Sequence, residues 1–283
     1  VNITTGGHNT ALGKQTGHTL TTTSNTVLLG SQAGYSINAT GADGTVAIGY
    51  QAGHNITSGQ KNTYIGYQAG LALTTGNHNT AIGYETMKGT SGQVHNNNVA
   101  VGYQSMFPIT TGASNVGLGY QSLRAITSGG QNTGIGTQAN YSVNTGVVNT
   151  AVGNGALFYN ETGNYNTAIG GSAMGGASGE SNSNNTAVGY KSLEVITTAA
   201  GNTAIGYKAG DSITTSGYNA LLGYEAGAAL AGGSGLNVVI GYQPLYLGTG
   251  NTKVIAIGTR AGYNSTADSN VYIGGSAGRE NRT

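Results

Sequence analysis

The sequence has no cysteine, no tryptophan and two prolines, and in 283 residues it carries ten Lys and Arg against nine Asp and Glu, a formal net charge of +1. Without cysteine there are no disulfides and no thiolate metal sites, and cysteine usage says nothing of compartment. Nucleic acid is bound by clustered basic residues that displace counterions, whereas Lys14, Lys61, Lys88, Lys191 and Arg260 are scattered; no nucleic-acid partner is expected. No apolar run approaches the ~20 residues of a membrane-spanning helix, so membrane insertion is not expected either. Neither a leader-like segment nor an initiator Met is seen, and the chain opens in mid-repeat with VNITTGG. The expectation is a processed piece, or a segment of a longer fibrous protein.

What is abundant is glycine, 52 residues of it, and it is periodic. An aliphatic residue followed by glycine recurs with its glycine at 13, 30, 49, 66, 83, 102, 119, 136, 153, 170, 189, 206, 223, 241, 258 and 274. Ten of the fifteen steps are 17 residues and the others are 19, 19, 19, 18 and 16. A fixed short period from end to end marks a stacked-repeat architecture. Glycine at this density would cost a helix roughly 1 kcal/mol per residue relative to Ala, and disordered tracts do not keep register. The fold expected is all-β: a parallel β-solenoid, or β-roll, of about sixteen 17-residue coils, with residues 1–283 forming a single repeat domain.

Aligned on the glycine, the consensus is N-T-A-I-G-Y-Q-A-G-x-x-I-T-T-G-x-x. Thr-Ala-Ile-Gly alternates across a pleat, so that Thr and Ile share one face and Ala and Gly the other. The aliphatic before the glycine is expected inside, the I-T-T stretch is expected as a second short strand, and glycine and Asn supply the turns. At ~4.7–4.9 Å per step, fifteen steps give a length of about 70 Å. Asn stands four residues before the glycine in thirteen copies, among them Asn62, Asn79, Asn149, Asn166 and Asn202. In register these form a ladder of stacked amides.

One buried Ile contributes about 1.5–3 kcal/mol, while ordering a residue costs about 1–2 kcal/mol of backbone entropy. So thin a coil should therefore associate in parallel with identical copies, and three flat faces meeting around one axis suggest a homotrimer.

The consensus motif NTAIGYQAG, with its variants NVAVGYQSM (98–106) and NTAVGYKSL (185–193), resembles the head repeats of trimeric autotransporter adhesins. Very similar repeats occur in tail-fibre-like proteins of bacteriophages and other viruses, often ahead of a self-cleaving chaperone domain. The resemblance covers nearly the whole chain and implies a left-handed, trimeric β-roll. The adhesin period is shorter than 17, and no coiled-coil stalk, neck-like basic segment or C-terminal anchor is seen here. The function expected is accordingly the structural shaft of a viral tail fibre at the virion surface. A bacterial surface adhesin head that binds matrix or glycan is the alternative, and an ice-binding solenoid built on the I-T-T threonines is a second.

Candidate contacts to a cell-surface glycan or protein receptor fall in two places. Tyrosine follows the glycine in nine copies, with Tyr50, Tyr67, Tyr84, Tyr103 and Tyr120 consecutive; such a row is either an aromatic platform or a stack that shields the corner. The 19-residue steps place polar insertions that contribute His95, Asn96, Asn97, Glu180, Asn182 and Asn184. No carboxylate pair or His–carboxylate spacing recurs, so neither catalysis nor a metal or cofactor is expected.

Overall fold

In a computed structural model, which describes residues 5–38, 40–89, 95–176, 179 and 181–280, the chain is an all-β parallel solenoid. It divides into two compact units, Val1–Thr145 and Gly146–Thr283, each built from the same coil. The first contains β1 (Thr10–Leu12), β2 (Val27–Leu29), β3 (Val46–Ile48), β4 (Thr63–Ile65), β5 (Thr80–Ile82), β6 (Val99–Val101), β7 (Val116–Leu118) and β8 (Thr133–Ile135). The second contains β9 (Thr150–Val152), β10 (Thr167–Ile169), β11 (Thr186–Val188), β12 (Thr203–Ile205), β13 (Ala220–Leu222), β14 (Val238–Ile240), β15 (Ile255–Ile257) and β16 (Val271–Ile273). Within each unit the strands lie in chain order, parallel and in the register of the repeat, as in Thr63↔Thr80 and Ala187↔Ala204. Among the described residues the one helical piece is the 3-10 turn Thr40–Ala42.

Two expectations are corrected. The first concerns the strand's facing. From β2 to β16 its central residue, usually Ala, is the buried one, and the aliphatic before the glycine is nowhere buried: Ile135 is 38% exposed, Ile205 39% and Leu222 47%. Alternation puts Ile opposite Ala, and the narrow interior accepts the smaller side chain because other positions fill it. Leu20, Ile37, Ile56, Leu73, Ile126, Ile196 and Ile213, each seven residues after a repeat glycine, are fully buried. So are Met87, Met106, Leu123, Leu157, Met174 and Leu193, four residues after it.

The second correction concerns I-T-T, which is a bend in place of a second strand. The N–H groups of Thr110, Thr111 and Gly112 all donate to the Thr127 carbonyl, at 2.9, 3.1 and 3.1 Å. Three consecutive donors converge on one acceptor only if the backbone curls, whereas an extended strand would point them alternately to opposite sides. Thr110 Oγ1 donates to the same carbonyl at 2.9 Å, and Thr197 Oγ1 to that of Thr214 at 3.0 Å.

Interior volume is balanced between positions. Where the central strand residue is large, the position four after the repeat glycine is glycine in that coil and in the one before. A Cβ on Gly53 would meet Tyr64 at 3.0 Å, and one on Gly70 would meet it at 2.5 Å. Leu28 is flanked in the same way by Gly17 and Gly34, and Leu221 by Gly210 and Gly227. Where the strand offers Ala81, Ala100 or Gly117, that later position carries Met87, Met106 or Leu123. These take left-handed φ angles of 47°, 52° and 52°, a conformation costing a non-glycine residue about 1–2 kcal/mol, offset by filling the core.

Candidate binding surfaces

The Asn ladder runs unbroken from Asn62 to Asn132 in the first unit and from Asn149 to Asn237 in the second. Asn79 donates from its backbone N and from Nδ2 to Asn62 Oδ1, at 2.8 and 3.2 Å. Asn98, Asn115 and Asn132 continue the pattern from coil to coil. In the second unit it runs through Asn149, Asn166, Asn185, Asn202, Asn219 and Asn237. Every one of these amides is buried, so the row ties coils together and presents nothing to a ligand.

The tyrosines form two outer rows. Tyr50, Tyr67, Tyr84, Tyr103 and Tyr120 stack with centroids 5.0–5.4 Å apart. Tyr190, Tyr207, Tyr224 and Tyr242 do so at 5.0–5.8 Å. Each ring is roughly half exposed, from Tyr207 at 39% to Tyr190 at 49%. A sugar packs against a ring's face, and inside a stack both faces are already covered by neighbouring rings. What the interior rings offer is edges and hydroxyls.

Beside the tyrosines runs a side-chain ladder with no counterpart in the sequence-based expectations. Gln32 Nε2 donates to Gln15 Oε1 at 3.1 Å, Gln51 to Gln32 at 2.8 Å and Gln68 to Gln51 at 2.7 Å. Glu85 takes the Gln place and accepts from Gln104 Nε2 at 2.8 Å and from Lys88 Nζ at 2.6 Å. Burial alone would raise its pKa, but these two bonds and the charges of Lys88 and Arg124 hold it below the usual carboxylate value. The signal was present in the repeat, since Gln recurs two residues after the glycine, and stacked amides bond across a parallel register.

The insertion residues separate into inward and outward groups. His95 and Asn182 are buried, while Asn97 and Asn184 are exposed in left-handed turns with φ 59°. Asn96 is half-buried and its Oδ1 accepts from the Asn77 N–H at 2.8 Å. Glu180 lies outside the described residues. His95 and Asn182 each stand seven residues before a repeat glycine, where sister coils have Gly76, Gly112 or Gly129.

His95 Nδ1 lies 3.4 Å from both Asn79 Oδ1 and Asn98 Nδ2, and Nε2 has no partner among the described residues. Burial pushes its pKa from 6.5 down to about 4. Above pH 6.5 the ring is neutral in folded and unfolded chains alike; below it only the unfolded chain takes up the proton, until about pH 4. Stability is expected to fall across that window by about 3 kcal/mol. The readout is the difference between pH–stability curves of the wild type and His95→Gly, and parallel curves would refute the assignment.

Among the described residues no group of three or more His, Cys, Asp or Glu is placed to hold a metal ion, and no helix is long and apolar enough to cross a membrane. Comparison with known proteins gives no match to a protein-family model, to a curated protein or to a solved structure.

Proposed function

We propose that this chain is a shaft segment of a viral, bacteriophage-type tail fibre, in which copies associate in parallel as a homotrimer of left-handed β-rolls displayed at the virion surface. One observation carries the reading: the outer face of the parallel sheet is uncovered, lined by aliphatic and threonine side chains, and almost free of charge. Purely parallel sheets are normally covered on both faces. Here the outward residues include Ile82, Val101, Leu118 and Ile135 in the first unit and Val188, Ile205, Leu222 and Ile240 in the second, bordered by the tyrosine rows. Across the three outward positions (three before, one before and one after the glycine) Lys14 is the only charged residue.

With a single charge at one end, what the face offers a partner is its repeat, the strand spacing of about 4.7–4.9 Å. A second copy of this chain reproduces that repeat coil for coil, which makes self-association the fitting use of the surface. The repeat motifs' resemblance to fibre and adhesin repeats supplies the trimer and the location. Asparagine rungs and aromatic stacks suit a role in bearing load and holding distance more than one in chemistry.

Sedimentation equilibrium on the intact chain is expected to return three times the 28.2 kDa chain mass. The double variant Ile82→Lys, Ile205→Lys is expected to sediment as a monomer with unchanged β-content, because both side chains point outward and burying their charges at an interface is costly. A wild-type chain that stays monomeric at micromolar concentration would sink the proposal.

A further inference from the structure

A second column stands five residues after each repeat glycine and mixes aromatic rings with charges. In the first unit Arg124 lies over the Phe107 ring, 4.2 Å from its centroid, with Lys88 at 5.8 Å. Glu85 is within electrostatic reach of both cations. In the second unit the column reads, from Glu194 onward, Glu194, Asp211, Ala228, Tyr246, Tyr263 and Arg279. Tyr246 stacks on Tyr263 at 5.3 Å, and Arg260 and Arg279 each sit 5.6 Å from the Tyr263 ring. Tyr263 thus covers one face of Tyr246, and on the other side the column offers only the buried methyl of Ala228.

The missing side chain leaves a notch of about 190 Å³ lined by Lys208, Asp211, Glu225, Tyr246 and Ala228, among others. Its charges are not internally matched. One coil earlier Lys191 pairs with Glu194 at 2.8 Å. Lys208 and Asp211 have the same spacing, yet among the described residues no ion pair joins them. Among the described residues the hydrogen bond Glu225 accepts is from a neutral donor, Gln243 Nε2, at 2.8 Å. Two carboxylates against one ammonium leave the notch net negative. The same field shows in Asp211, whose carboxyl burial raises above its usual value, with Glu194 and Glu225 adding to the rise and Lys208 opposing it.

We propose that this notch binds an organic cation, a guanidinium or alkylammonium group, which enters the gap beside Ala228, stacks on the open face of Tyr246 and is paired by Asp211 and Glu225. The chain builds the same combination for itself elsewhere: in Glu85, Phe107 and Arg124 the cation is a tethered side chain, whereas at Ala228 its place is vacant. A cation gains from both the ring and the carboxylates. A neutral polyol gains nothing from the net charge.

The test is titration of the intact chain with N-acetyl-L-arginine methylamide at low salt, followed by calorimetry or NMR, with methyl glucoside as the uncharged comparator. Saturable binding of the arginine derivative is expected, weakened about tenfold in Asp211→Asn and abolished in Ala228→Tyr. The tyrosine fills the gap with the residue type the column carries one coil on, and the Asp211→Asn variant, which changes no volume, keeps the test decisive if Ala228→Tyr folds poorly. Absence of binding to the wild type, equal affinity in Asp211→Asn, or equal binding of the glucoside would each overturn the proposal.

Discussion

A chain carrying Gly83→Ala is expected to lose at least about 4 kcal/mol of stability, the range of the largest single-residue effects. Gly83 has φ +135°, a region open to glycine and costly for any other residue. An added Cβ would also lie 2.5 Å from the Gly102 carbonyl oxygen and 2.9 Å from Thr86 Oγ1. Neither neighbour can yield cheaply. Moving the carbonyl pulls Gly102 away from Ile82, whose carbonyl accepts the Gly102 N–H at 2.8 Å. Moving Thr86 breaks the bond from its hydroxyl to that same Gly102 carbonyl. Urea unfolding measures the loss, and Gly232→Ala is the control, because its Cβ would meet nothing within 4 Å and its φ is not in the left-handed range. Since each coil contacts chiefly its neighbours, proteolysis should open the variant first around residues 83–102. Equal stability of the two variants would show that the glycine column is not under the constraint described.

Replacing Asn202 by leucine is the second large loss expected, about 3–5 kcal/mol for a substitution that keeps the branching and the number of side-chain heavy atoms. Asn202 Oδ1 accepts from the Asn219 N–H at 3.0 Å and from its Nδ2 at 2.9 Å. Asn202 Nδ2 donates to the Ser216 carbonyl at 3.0 Å and to Asn185 Oδ1 at 3.2 Å. Leucine strips partners from both neighbouring coils in a place no water reaches, and each orphaned buried group costs about 1–3 kcal/mol. Threonine occupies the same repeat position at Thr26, where its hydroxyl donates to Asn9 Oδ1 at 2.8 Å. Asn202→Thr should therefore retain roughly half of what leucine loses. If leucine and threonine melt together, hydrogen bonding is not what the ladder contributes.

The coil, its register and the amide ladder were legible in the sequence because each rests on a residue type repeated at fixed phase. The facing of the strand was not. Alternation places Ile82 and Ala81 on opposite faces but cannot say which is inside. That is decided by the room left once Leu73 and Met87 occupy the interior. The I-T-T segments looked extended because Ile and Thr favour strands, and the convergence of three N–H groups on one carbonyl has no compositional mark. His95 and Asn182 read as loop residues by their polar neighbours, whereas their phase, seven before a glycine, belongs to an inward position. The column containing Asp211 and Tyr246 has no consensus residue at all. It becomes visible only when coils are superposed and their differences are read in place of their likeness.

The pairing of Tyr64 with Gly53 and Gly70 makes the coils unequal as interchangeable cassettes. Excising Tyr67–Gly83 or Tyr103–Gly119 would each remove one full period. The first splice brings Met87 into the seat that Gly70 keeps clear for the phenol ring, while the second only sets Leu123 beside Ala100 and Met87. Lengthening or shortening such a chain by duplication and loss is thereby channelled to particular seams, and a history of recombination should be written most often where small strand residues adjoin.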